Sequence, residues 1–467
     1  MLSKSKVILI LLLSISIALI ACHSKKTSQS TGEYQKITEK GKIIEHVICK
    51  KNINQNYALY LPSTYSPDKK YPIIYFFDPH AKGIQVIKKY STVAEKYGFI
   101  IAASNMSKNG LSWEYTNEIY DNLYDDTYNK LSIDKQRIYT AGFSGGARVA
   151  SSIAIFKGGI AGVIACGAGF PQINEPIKNK FNFIGIVGTA DFNFIEMNNL
   201  NSALNDTPIP HYLITFNGKH EWPSVDIMSD GFMWLIINSM KDKYITTDEQ
   251  LIKNFILKNI DSINNRNKNI QIEEIYETYN KIVSYSSGIL EITNYKKTLD
   301  SIYNSQNYTA YLKNEKEINT LENHKMQEYI IALKSKPTNW WNTEINNLSL
   351  NISNKKNISE INLNKRLINY ISMLSYVSID NSLKSNSFEK IKDYLNIYFM
   401  ADSLNPDYKY LFGCYCMKQN KYEKALQYLE EAVKSGFNDL NKIEDDGYFI
   451  PLIKNNKYLE IISLIKN

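Results

Sequence analysis

The chain has 467 residues, 44% hydrophobic and 22% charged, which is enough to fill more than one core and too apolar for a disordered protein. The formal net charge is +7, or +5 without the two lysines Lys4 and Lys6 of the N-terminal segment, and the basic residues form no concentrated stripe, so nucleic acid is excluded as the expected partner. Five cysteines, Cys22, Cys49, Cys166, Cys414 and Cys416, match no zinc or haem spacing.

At about 150 residues per domain the length predicts two to three domains. Residues 1–21 read as an export signal, with Lys4 and Lys6 ahead of an apolar run from Val7 to Ile20. The run ends Leu19-Ile20-Ala21-Cys22, which resembles a bacterial lipobox. The resemblance implies acylation of Cys22 and a lipid anchor in a bacterial cell envelope, periplasmic or at the surface. Residues 22–39 follow as a polar tether.

A catalytic domain is expected over residues 40–243. Ile43–Cys49 and Tyr57–Leu61 alternate like a hairpin, and Tyr71–Phe77 is a continuous apolar strand. A helix is expected near Gln85–Tyr97, a strand at Phe99–Ala103 and a helix at Asn117–Leu131. Arg137–Ala141 reads as a buried strand, and Ala147–Phe156 as a packed helix. Further apolar strands are Ala161–Cys166, Phe183–Val187 and Tyr212–Phe216, with a last helix near Asp226–Met240. Alternating strands and helices predict an α/β domain with a mostly parallel sheet covered on both faces.

Beyond residue 245 glycine becomes scarce and the pattern turns helical. Residues 244–385 are helical without a recognisable type, and the Asn/Ser/Thr/Trp-rich stretch 335–362 has no clear assignment. Over residues 386–467, Gly413, Ala425, Leu429 and Ala432 fall at tetratricopeptide spacing, with a turn at Asn420-Lys421-Tyr422. Lys409 and Phe437 depart from that pattern, and a plain helical bundle is the alternative.

The chemistry sits in Gly142-Phe143-Ser144-Gly145-Gly146, a G-x-S-x-G pattern between a strand and a helix. That setting is a nucleophile elbow: small residues allow the sharp turn that exposes the serine hydroxyl. A serine hydroxyl needs a base, and the base needs an orienting acid. Asp191 follows the strand Phe183–Val187, and His220 follows Tyr212–Phe216, in the chain order Ser, Asp, His. All three fall at the same sheet edge. His80 precedes the nucleophile and reads as a loop residue. Asp226 and Glu196 are alternative acids in expected helices. No His/Asp/Glu cluster has metal-ligand spacing, so neither a metal nor a cofactor is expected.

With these stretches and Gly218-Lys219-His220-Glu221-Trp222-Pro223, residues 40–243 resemble secreted α/β-hydrolases of the esterase type, akin to dienelactone hydrolases and polyester or feruloyl esterases. The resemblance implies Ser144 as nucleophile, Asp191 as acid and His220 as base, acting on a small-molecule or polymer-linked ester. Such enzymes often carry His-Gly after the third strand, where this chain has Asp78-Pro79-His80-Ala81. Pro79 has no N–H, so the oxyanion hole is expected from Gly145 together with His80 or Ala81. Trp222 and Trp113 are candidates for lining the substrate pocket or for packing under a loop. A serine peptidase on the same fold is the alternative enzyme. An inert interaction lipoprotein, with a protein partner on the helical tail, is the alternative of another class. The tail is expected to add no ionisable group to the site, so residues 38–245 should hydrolyse small esters alone.

Overall fold

The computed structural model describes residues 39–265 and 270–466; the export segment, Cys22 and the tether up to residue 38 lie outside the described residues. Eight strands form one sheet: β1 (Ile43–Ile48), β2 (Asn56–Tyr60), β3 (Tyr71–Phe77), β4 (Ile100–Ser104), β5 (Ile133–Phe143), β6 (Gly162–Cys166), β7 (Asn182–Gly188) and β8 (His211–Phe216). Their spatial order is β1-β2-β4-β3-β5-β6-β7-β8. β1 and β2, and β2 and β4, pair antiparallel, and every later pair is parallel. Parallel pairs need crossovers, and helices supply all but one: α1 (Gly83–Tyr97), α2 (Trp113–Lys130), α3 (Gly145–Phe156) and α4 (Phe194–Leu204) each lie between two strands, residues 167–181 join β6 to β7 without a helix, and α5 (Val225–Lys241) follows β8. The topology is that of the α/β-hydrolase fold, in agreement with the sequence.

The strand patterns follow from two-sided burial. β3, β4, β6 and β7 are buried at every position, which is why they read as continuous apolar runs. On one face, Ile74, Phe76, Ala103 and Ile186 pack with Ile87 and Tyr90 of α1 and Phe232 of α5. On the other, Tyr75 meets Tyr120 of α2 edge to face, and Thr140 Oγ1 donates to Ala150 O of α3. α2 starts four residues before the expected Asn117, because Ser112 caps it by accepting from Tyr115 N–H.

Eleven helices complete the described chain: α6 (Glu249–Asn264), α7 (Ile272–Ser286), α8 (Thr293–Tyr303), α9 (Gln306–Ser335), α10 (Thr338–Asn354), α11 (Ile358–Ser385), α12 (Ile391–Ala401), α13 (Pro406–Lys418), α14 (Tyr422–Lys434), α15 (Leu440–Asp446) and α16 (Asn456–Lys466). The unassigned stretch 335–362 is thus α10 and the start of α11. Three apolar residues of α10 at helical spacing, Trp341, Ile345 and Leu348, are buried.

The apolar core does not stop at residue 243. Phe255 of α6 and Tyr285 of α7 stack on each other, and Tyr285 packs edge to face against Trp234 of α5 and Tyr212 of β8. A second core joins α9, α10 and α11, and a third runs through α11–α16. Gly413 of α13 lets the backbone of α14 approach, since a Cβ there would come within 3.2 Å of Ala425 O. From Glu39 onward the chain is one compact unit.

Candidate active site

β5 ends at Phe143 and the chain breaks direction at Ser144, with φ 53° and ψ −121°. A side chain rarely adopts this conformation, and surrounding bonds hold it there. Ser144 N–H donates to Cys166 O at 2.8 Å, and Ser144 O accepts from Ala147 N–H as α3 begins. The flanking glycines are forced by contact. A Cβ on Gly142 would lie 2.1 Å from Gly146 O, and one on Gly146 would lie 2.0 Å from Phe77 O in β3.

The turns after β7 and β8 bring Asp191 and His220 to this point. His220 Nε2 is 2.9 Å from Ser144 Oγ. His220 Nδ1 is 2.9 and 3.0 Å from the two oxygens of Asp191. A proton on Nδ1, donated to the carboxylate, leaves Nε2 to accept from the serine hydroxyl. The Asp191 side chain is 1% exposed and also accepts Asn193 N–H at 2.8 Å.

The imidazole is held on both sides. Its ring centroid lies 4.6 Å from that of Phe143 and 4.2 Å from that of Phe192. Gly167, at φ 66°, completes the enclosure, since a Cβ there would press on Phe143, Asp191 and His220. The sequence reading did not single out Phe192 or Gly167.

The expected oxyanion donors divide. Gly145 N–H opens α3 as one of its orphan donors, and among the described residues it has no acceptor. His80 and Ala81 are a correction. His80 N–H donates to Asp78 Oδ1 at 2.8 Å, and Ala81 N–H to Asp78 O at 3.3 Å. Asp78 is buried at the end of β3 and draws these N–H groups into its own turn. Asn109 lies beside Gly145. A Cβ on Gly145 would fall 1.8 Å from Asn109 Oδ1, so the missing side chain leaves room for this amide over the start of α3.

The two tryptophans are also placed elsewhere. Trp222 Nε1 donates to Asp78 Oδ2 at 2.8 Å, and its ring packs on Tyr90 and Phe143. Trp222 therefore braces the His220 turn from below. Trp113 opens α2 and packs edge to face on Phe156. Neither lines the cleft over Ser144. Glu196 pairs with Arg148 at 2.7 Å, and His211 bonds Ile209 O and Asn205, so neither joins the site.

The cleft over Ser144 has a volume of ≈ 670 Å³. Its sheet side is Phe143, Ser144, His220, Phe192 and Asn109. Its other wall is helical: Met373, Tyr376 and Asp380 of α11, Asp407 of α13, and Lys442 and Asp445 of α15. This corrects the expectation that the tail adds no ionisable group. Polar contacts cross the cleft edge, with His80 Nδ1 3.4 Å from Asp439 Oδ2 and Lys108 in an ion pair with Asp445. Burial pushes the Asp407 carboxyl above its ordinary range, against the pull of His80, Lys442 and Lys82.

No family model matches the chain, and no curated protein does. Among solved structures it is similar to a feruloyl esterase module from Clostridium thermocellum, at 15% identity and TM-score 0.34, over 39% of this chain and 82% of that one. It is also similar to FphF, a fluorophosphonate-binding serine hydrolase of Staphylococcus aureus, at 14% identity and TM-score 0.36, over 42% and 99%. A third is the S-formylglutathione hydrolase FrmB of Staphylococcus aureus, at 15% and 0.33, over 39% and 92%. Likenesses this distant assign no activity.

Proposed function

We propose that this protein is a serine hydrolase that cleaves carboxylic esters through an acyl-enzyme. The observation that carries the reading is the continuous hydrogen-bond relay from Ser144 through His220 to Asp191. Ser144 Oγ attacks the ester carbonyl while His220 Nε2 takes its proton. The buried Asp191 keeps the imidazole in register and stabilises its charged form. Gly145 N–H, with Asn109 Nδ2–H₂ as the proposed second donor, holds the developing oxyanion, helped by the positive end of α3. His220 returns the proton to the departing alcohol, then activates a water that frees Ser144.

The volume of ≈ 670 Å³ suits an ester of small-molecule size or the end of a polymer-linked one. Phe143, Phe192 and Met373 offer apolar surface for an acyl or aryl group beside the polar helical wall. Lipid anchoring through Cys22 is proposed on the sequence pattern alone.

The test is labelling by a fluorophosphonate probe, followed by turnover on short acyl esters, aryl esters and aminoacyl amides. Labelling at Ser144 with ester turnover supports the reading. Lack of labelling in the folded protein overturns it, and faster amide cleavage favours a peptidase.

A further inference from the structure

The loop that carries Asp191 is held from the helical side of the molecule. Arg366 of α11 donates from Nη1 to Thr189 O at 2.9 Å. Asn369, one turn along the same helix, donates from Nδ2 to Ala190 O at 2.8 Å. These carbonyls belong to the two residues before Asp191. The guanidinium of Arg366 also lies 4.5 Å over the ring of Phe194. Two successive carbonyls and the start of α4 are thus gripped by one face of α11.

Arg366 is itself fixed. Its Nε donates to both oxygens of Glu322 on α9, at 2.8 and 2.9 Å, and Nη2 donates to Oε2. The side chains are 3% and 1% exposed. A buried pair of this kind adds little stability over an apolar replacement, but a guanidinium fixed by it holds its other N–H groups in a set direction. Here one of them, on Nη1, is aimed at Thr189 O.

We infer that Arg366 and Asn369 are positioning residues for the catalytic acid, so the helical region is part of the catalytic machinery rather than an appendage. The inference rests on the serine-hydrolase reading. Packing alone would not aim two side-chain donors at successive carbonyls of a catalytic loop. The Asp191–His220 bond has oxygens at 2.9 and 3.0 Å, and a shift of about 1 Å in the loop would break it. Misplacement of that size costs on the order of 10²-fold in rate.

The experiment uses the full chain with Asn369→Ala, Asn369→Gln and Arg366→Lys. Arg366→Lys keeps a cation for Glu322 but loses the planar fork. Two readouts are needed: steady-state kinetics on a small activated ester, and the far-downfield proton resonance of His220 Nδ1–H. For Asn369→Ala at unchanged thermal midpoint, kcat should fall about 10- to 100-fold with KM within about twofold. The resonance should shift or broaden, Asn369→Gln should recover part of both, and Arg366→Lys should follow Asn369→Ala. Unchanged kcat and resonance in Asn369→Ala would overturn the inference. So would a rise in KM alone, because Asn369 also borders the cleft and would then be a substrate contact. The resonance needs no substrate, so an inactive or unlabelled wild-type protein would defeat the hydrolase reading while leaving the positioning test readable.

Discussion

Phe192 packs on His220 with ring centroids 4.2 Å apart and the rings tilted by 34°, and it also packs into the core of α9–α11 that contains Leu367 and Tyr370. One ring therefore links the base to the helical half of the molecule. Phe192→Ala should lower kcat about tenfold, because the imidazole gains freedom, and destabilise by about 1–3 kcal/mol. Phe192→Leu should lose less of both. Esterase kinetics beside denaturant melts check this, and an unaffected kcat would dismiss the packing role.

Ser144→Ala should reduce ester hydrolysis by about 10⁴-fold or more without loss of fold, and His220→Ala by a comparable factor. The double variant should be little worse than either, since the relay acts as a unit. Near-normal turnover by Ser144→Ala would place the nucleophile elsewhere.

Asn109→Ala tests the oxyanion site in place of His80 and Ala81. Loss of one donor of this type costs about 10²-fold in kcat, with KM nearly unchanged. His80→Ala should change kcat much less, because its N–H is held by Asp78 whatever the side chain. A smaller loss in Asn109→Ala than in His80→Ala would dismiss Asn109 as the donor.

A chain cut after residue 245 should fail, contrary to the sequence expectation. The cut removes Tyr285, and Phe255 stacked on it, from Trp234 and Tyr212, baring an aromatic face. It also removes Arg366 and Asn369 from the Asp191 loop. Expression of residues 38–245 should give aggregated protein or a soluble form of low kcat. Full activity of that fragment on a small ester would contradict this.

Lys241 provides a pH test of the α5–α7 junction. Its ammonium donates to Ser284 O at 2.9 Å, and burial lowers its pKa to about 8 from 10.5. Between those values the unfolded chain holds the proton and the folded chain does not, so this group makes stability rise with pH across that window. Below about pH 8 the folded protein carries the whole cost of burying the charge. Lys241→Met should therefore stabilise by about 1–2 kcal/mol near pH 7, with the gain fading towards about pH 10. Urea midpoints at the two pH values decide it, and a gain that grows with pH would reverse the sign.

The sheet was legible because burial on both faces leaves a plain mark, as in Tyr71–Phe77. Ser144, Asp191 and His220 could be placed because the fold puts the ends of its parallel strands on one edge, so chain order stands in for distance. The oxyanion site was not legible in the same way. Asp78 competes for the N–H groups of the next loop, and a carboxylate in a tight turn gives no pattern in the chain. The helical wall was hidden for another reason. Arg366 meets Thr189 across 177 residues, and Glu322 meets Arg366 across 44, so no local spacing marks either contact. In α10 the buried Trp341, Ile345 and Leu348 were masked by the Asn and Ser residues around them.

The grip of Arg366 and Asn369 on the Asp191 loop also bears on access. Swinging the helices off the sheet edge would strip the Thr189 and Ala190 carbonyls of their donors and leave the Arg366–Glu322 pair, which lies wholly within the helices, without its contact to the loop. These two bonds tie the back of the cleft to the Asp191 loop. On the ester-hydrolase reading, ester and alcohol would pass by the rim, where Gly110, Lys219 and Lys384 are exposed. On that reading the choice among esters begins at this rim, before any bond is strained.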